Sequence, residues 1–228
     1  MTILKLIITF VLALCACTGV SEPAVRHAIE SEIEPEIVSE IEPAADVADA
    51  SGAVAGGLLT VSFNYEKQSG SASNQFAVWI EDAGGNYIQT LYVTQWTANG
   101  GYKNRPDSIS TWVRKSGLAD MPKSEVDAIS GATPKTGSFV YTWDLTDAEG
   151  REVPPGGYTV RAEGTLRWKN YVLFTGSFTI GDASVDFAVT PEYHYESSGN
   201  YAALSAESPE NKMIGSVSAH FEPTLNGV

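Results

Sequence analysis

Phe76-Ala77-Val78-Trp79-Ile80-Glu81, Asp82-Ala83-Gly84-Gly85-Asn86 and Tyr87-Ile88-Gln89-Thr90-Leu91-Tyr92-Val93 follow one another over residues 76–93. Two runs rich in β-branched and aromatic residues enclose a segment of Gly and Asn, the residues that accept positive φ. That order predicts a β-hairpin. Upstream, Leu59-Thr60-Val61-Ser62-Phe63-Asn64-Tyr65 alternates apolar and polar side chains, the period of a half-buried strand. Downstream, similar runs lie at 139–143, 158–163, 171–174 with 176–180, 185–189 and 214–221. Short strands at regular spacing, with turn residues between them, predict an all-β antiparallel sandwich over 58–223, leaving 224–228 as a tail. With 43% hydrophobic and 10% aromatic residues, the chain has enough apolar surface for such a core.

The N-terminal quarter reads differently. Lys5 precedes Leu6-Ile7-Ile8-Thr9-Phe10-Val11-Leu12-Ala13-Leu14, an apolar run too short to span a bilayer and suited to an export signal. It ends in Leu14-Cys15-Ala16-Cys17, which resembles the bacterial lipoprotein cleavage box, with Cys17 in the position of the lipidated cysteine. The resemblance implies a signal peptide over 1–17 and an exported chain anchored through Cys17 to a lipid bilayer, facing the periplasm or the exterior. Both cysteines fall in this leader, so the mature chain has neither a disulfide nor a catalytic thiol. Residues 18–57 read as a disordered tether. Ser31-Glu32-Ile33-Glu34-Pro35 is repeated as Ser39-Glu40-Ile41-Glu42-Pro43, too acidic and too poor in apolar residues to offset chain entropy. The net charge of −14 is concentrated there, where nine acidic residues face only Arg26. A chain so acidic has no means of neutralising a row of phosphates, which excludes nucleic acid as a partner.

Between the predicted strands, residues 96–137 form a connection far longer than a sandwich needs, and connections of that size are usually functional or disordered. It carries Trp96, Tyr102 and Arg105, a helical turn around Ser110–Lys115, and then Asp127-Ala128-Ile129-Ser130-Gly131-Ala132-Thr133. The last seven residues resemble the Asp-x-x-Ser/Thr-Gly-Ala-Thr acceptor motif of FMN-binding domains in respiratory sodium- and electron-pumping complexes. In those families a flavin transferase joins FMN, through its phosphate, to the final threonine, here Thr133. The resemblance implies that the Thr133 hydroxyl attacks the pyrophosphate of FAD and releases AMP. The base and metal come from the transferase, because a threonine hydroxyl is a poor nucleophile alone. Gly131 and Ala132 keep the segment narrow, Asp127 holds the loop or is read by the transferase, and Ser130 bonds the loop backbone. Trp112, Trp96 or Tyr102 is expected to stack on the isoalloxazine ring. Lys103, Arg105, Arg114, Lys115, Lys123 and Lys135 are expected to give the region a positive character. Pro134 biases Thr133 to an extended backbone, and Thr136 is a second, weaker acceptor.

Trp143-Asp144-Leu145-Thr146-Asp147-Ala148-Glu149-Gly150, continuing to Gly156-Gly157-Tyr158, resembles a hairpin of the immunoglobulin-like domain of flagellar hook-capping proteins. The span from Leu58 to Phe221 also resembles a family of predicted periplasmic bacterial proteins of unknown function. These likenesses imply an immunoglobulin-like sandwich with one long functional loop. The function they imply is an extracytoplasmic lipoprotein carrying covalent FMN and passing electrons between a membrane redox protein and another acceptor. The alternative is a cofactor-free immunoglobulin-like binding or assembly module. His27, His194 and His220 have no metal-ligand spacing. Asp144, Asp147 and Glu149 read as turn residues, and Ser130 lacks a nucleophile elbow. No residue set supports an enzyme with its own substrate.

Overall fold

A computed structural model describes residues 56–224. The signal peptide, Cys17 and His27 lie outside the described residues, as do all but the last two residues of the predicted tether. Among the described residues, ten strands form two sheets. The first contains β5 (Gly137–Trp143), β1 (Gly57–Tyr65), β10 (Ser218–Pro223) and β8 (Val185–Ala188), in that order and all antiparallel. The second contains β4 (Ser130–Gly131), β3 (Tyr87–Thr94), β2 (Gln75–Asp82), β6 (Gly156–Arg167), β7 (Asn170–Ile180) and β9 (Thr190–His194). Period-two alternation produces the sandwich. Leu59, Val61, Phe63 and Tyr65 of β1 point inward. They meet Phe76, Val78 and Ile80 of β2 and Val172, Phe174, Phe178 and Ile180 of β7.

The predicted strands over 171–174 and 176–180 are one continuous β7, paired with β6 without a register shift from Tyr171 to Ile180; Gly176 within it lets Val189 approach, whose Cγ2 a Cβ would meet at 2.8 Å. The run at 214–221 is ladder-paired only from Ser218; Ile214 makes a single bridge to Tyr65. Between Trp143 and Tyr158 lies a small hairpin with a single antiparallel bridge, Thr146↔Glu152, and Trp143 and Tyr158 stand in the strands on either side of it. They end β5 in one sheet and begin β6 in the other, and their rings meet across the core at 5.4 Å. Tyr158 donates to the Pro154 carbonyl at 2.7 Å, which fixes the crossing between sheets.

The long connection is a third layer. β2 is buried on both faces, and its outward residues Ala77 and Trp79 join a second core with Val93, Ala98, Ile109, Trp112, Leu118 and Val126. The cap consists of an irregular helical turn over 97–104, α1 (Ser110–Lys115) and α2 (Lys123–Ile129). Polar residues of β6 clamp it. Thr165 Oγ1 accepts from the Ile109 amide at 2.7 Å, and the Glu163 carboxylate accepts from the Thr111 and Trp112 amides at 3.2 and 2.9 Å. Ile109 takes a left-handed backbone (φ 40°) to enter α1, a conformation disfavoured for a β-branched residue and offset here by its complete burial.

Burial pushes the Glu163 carboxyl up to about 7, against the opposing pull of the α1 amides and of Arg114. Its folded pKa therefore lies above the unfolded value, and the folded state binds more protons between the two. Stability is then full below the ordinary carboxylate range and falls as pH rises towards 7, by about 3 kcal/mol. Urea denaturation over that window is expected to give a flatter pH dependence for Glu163→Gln than for the parent. Parallel slopes would contradict this origin.

Candidate functional site

The acceptor-like motif straddles three local structures. Asp127 to Ile129 end α2, whose Val126 and Ile129 face the cap core while Asp127 faces solvent, paired with Lys123 at 2.9 Å. Ser130 and Gly131 form β4, which pairs in parallel with β3 through Val93↔Ser130 and Thr94↔Gly131. Parallel neighbours require a crossover connection. That requirement accounts for the length of the cap: the chain must return before it can run alongside β3. Ala132 and Thr133 then leave the sheet.

Tyr92, a residue with no signal in the motif, anchors this segment. Its hydroxyl donates to the Ala132 carbonyl at 2.7 Å. Its ring lies so close beneath Gly131 that a Cβ there would fall 2.7 Å from Tyr92 Cε2. Gly131 is therefore required by a close approach. Tyr92 in turn packs on Phe76 and Tyr141 at 5.2 Å, so the motif backbone is referenced to the sandwich core. Thr133 Oγ1 accepts from Gln75 Nε2 at 3.3 Å. The Gln75 side-chain oxygen Oε1 accepts from the Thr97 amide and hydroxyl, and Thr97 shares a 2.7 Å hydrogen bond with Ser108. Held as an acceptor, the Thr133 oxygen keeps its own hydrogen free for a base.

Around Thr133 opens a cleft of 740 Å³, lined by Gln95, Trp96, Asn99, Gly100, Gly101, Asn104, Lys123, Asp127, Ala132 and Thr133. Its size falls in the range of about 300–1,000 Å³ common for small-molecule sites. Asp127, Ala132 and Thr133 thus share one site with Trp96. Ser130 and Gly131 do not line it. The Ser130 hydroxyl is buried without a hydrogen-bond partner, so the backbone bond expected of it is not made.

Trp112 is corrected as a stacking residue. It is 0% exposed in the cap core, with Nε1 donating to Thr90 at 2.8 Å, and offers no face to a ligand. Tyr102 is half-buried against the same core. The expected positive character is also dispersed. Lys123 alone of those residues lines the cleft, Arg105 lies on Trp168 and donates to its carbonyl at 2.9 Å, and Lys115 pairs with Glu81. Thr136 lies apart, its hydroxyl accepting from the Lys67 amide at 3.0 Å on the wall of a separate 610 Å³ cleft. His194 stacks on Tyr171, while His220 pairs with Asp186 and Glu222.

These residues fit a tethered flavin mononucleotide in three respects: the cleft is lined by a hydroxyl, by an ammonium group paired with Asp127, and by a half-exposed indole. No curated protein and no solved structure gives a significant match to the chain. The model of a family described as predicted periplasmic protein (DUF2271) matches residues 58–198, from β1 through β9 and including the whole cap and the motif. On that span of more than half its length, the chain belongs to this family of predicted periplasmic proteins.

Proposed function

We propose that the protein is an extracytoplasmic, lipid-anchored carrier of FMN, attached covalently through its phosphate to Thr133. The observation that carries this reading is the sharing of one open cleft by Thr133, Trp96 and the Lys123–Asp127 pair. Thr133 Oγ1 is the attachment atom, and Gln75 orients it. Lys123, paired with Asp127, is the cation of the cleft that can turn from that pair to a phosphate or a reduced flavin. Asp127, neutralised by Lys123, is the exposed group that a flavin transferase can read. Gly131, seated on Tyr92, holds the segment narrow and in register. When bound, FMN supplies the redox chemistry, and the protein supplies position and electrostatics. Covalent attachment suits a compartment in which a dissociated flavin is lost. The partners are the transferase, a membrane redox protein and, through Cys17, the bilayer.

Intact mass of the mature chain, co-expressed in a periplasm with a flavin transferase, tests the proposal. An added mass of FMN less water is expected. An unmodified chain alongside a labelled control substrate would remove the carrier reading and leave a cofactor-free binding module.

A further inference from the structure

Trp96 is unlike the other tryptophans. Trp79, Trp112 and Trp143 are no more than 1% exposed. Trp168 is covered by Tyr201, stacked at 4.5 Å, and by Arg105, 5.4 Å from its ring. Trp96 is 47% exposed, and it opens into the cleft that holds Thr133.

Its orientation is built in. Gly101, buried on the next helical turn, lies directly against the indole: a Cβ there would fall 2.5 Å from Trp96 Cδ2 and 2.6 Å from Cε3. The ring can lie on the backbone only because residue 101 is glycine. Gly100 beside it has φ 100°, strained for any L side chain, and nothing within 4 Å of its missing Cβ. The two glycines therefore do separate work. Gly101 seats one part of the indole, and Gly100 keeps the adjoining wall of the cleft bare. Thr97, next in the chain, is buried and tied to Gln75, the same residue that holds Thr133 Oγ1. Indole and acceptor hydroxyl are thus referenced to a single side chain. A large aromatic face held half open in this way is costly to leave in water and well suited to a flat π-system.

We infer that Trp96 is the platform on which the isoalloxazine ring of the tethered flavin stacks. The inference rests on the carrier reading above and adds a positioning residue to it. Phosphate attachment alone fixes one end of FMN and leaves the ring free on its ribityl chain. Stacking on Trp96 fixes the other end within the cleft.

Flavin emission separates the possibilities, because an indole stacked on isoalloxazine quenches it. The transferase-loaded parent, Trp96→Ala and Trp96→Phe are compared, with emission normalised to the FMN found on each by intact mass and with visible circular dichroism recorded alongside. The parent is expected to be strongly quenched, Trp96→Ala several-fold brighter with a weaker dichroic signal, and Trp96→Phe intermediate. Equal emission and dichroism per FMN across the three overturns the platform while leaving the carrier reading intact. A parent without FMN overturns both.

Discussion

Thr133→Ala is expected to abolish the FMN mass increment completely while leaving a folded protein. The substitution removes the atom proposed to carry the ester. Its structural cost is confined to one 3.3 Å hydrogen bond from Gln75, worth about 0.5–1.5 kcal/mol. Domains of this kind have about 5–15 kcal/mol of stability, so the variant keeps its fold. Thr133→Ser retains the hydroxyl and is expected to remain labelled. Thr136→Ala is expected to be labelled as fully as the parent, since its hydroxyl is engaged by Lys67 and faces another cleft. Persistence of the increment in Thr133→Ala, or its loss in Thr136→Ala alone, would move the attachment to the later threonine.

The largest effect on stability is expected at Trp112, the residue that sequence suggested for cofactor stacking. Truncating a wholly buried tryptophan to alanine costs about 3–5 kcal/mol through lost burial and the cavity left behind. Thr90, which accepts from the indole, keeps a 2.8 Å hydrogen bond with Tyr87, so it is not orphaned. The damage should be regional. The residues packed with Trp112 belong to the cap and the outer face of β2 and β3, whereas the core between the sheets is a separate cluster. Amide exchange in Trp112→Ala is therefore expected to accelerate first over 97–129, ahead of β1, β6 and β7, with the denaturation midpoint lowered as well. Flavin loading should fall together with the cap, because Trp96 and Lys123 wall the cleft from it. An unchanged midpoint and unchanged exchange would show that Trp112 is not the keystone of this layer.

The sandwich was legible because its strands obey period two against one buried face. The cap was legible only indirectly. Phe76-Ala77-Val78-Trp79-Ile80 does not alternate, and an unbroken apolar run marks a strand covered on both sides, here by the long connection itself. Residues 123–129 offer only Val126 and Ile129 as a helical stripe, too little to distinguish α2 from a loop. β4 has two residues, Ser and Gly, neither favouring a strand; its existence depends on β3. β9, with Pro191 and every residue exposed, shows no alternation, as suits an edge strand. At the site, the motif residues could be read from the chain, but Tyr92 and Gln75 could not. Their roles follow from register in β3 and β2, and no spacing along the sequence encodes which strand lies beneath Gly131.

The parallel β3–β4 pair also bears on the order of assembly. Two ladder positions close a loop spanning 95–129, so little local enthalpy is set against a substantial closure entropy. The hairpin of β2 and β3 must be in place, with the cap settled on it, before Ser130 and Gly131 have anything to join. Among the paired strands, the segment leading to Thr133 is thus expected to zip late and to peel early. Releasing it removes β4 from the edge of its sheet and breaks two ladder positions and the Tyr92 and Gln75 hydrogen bonds, while the other nine strands described keep their pairing.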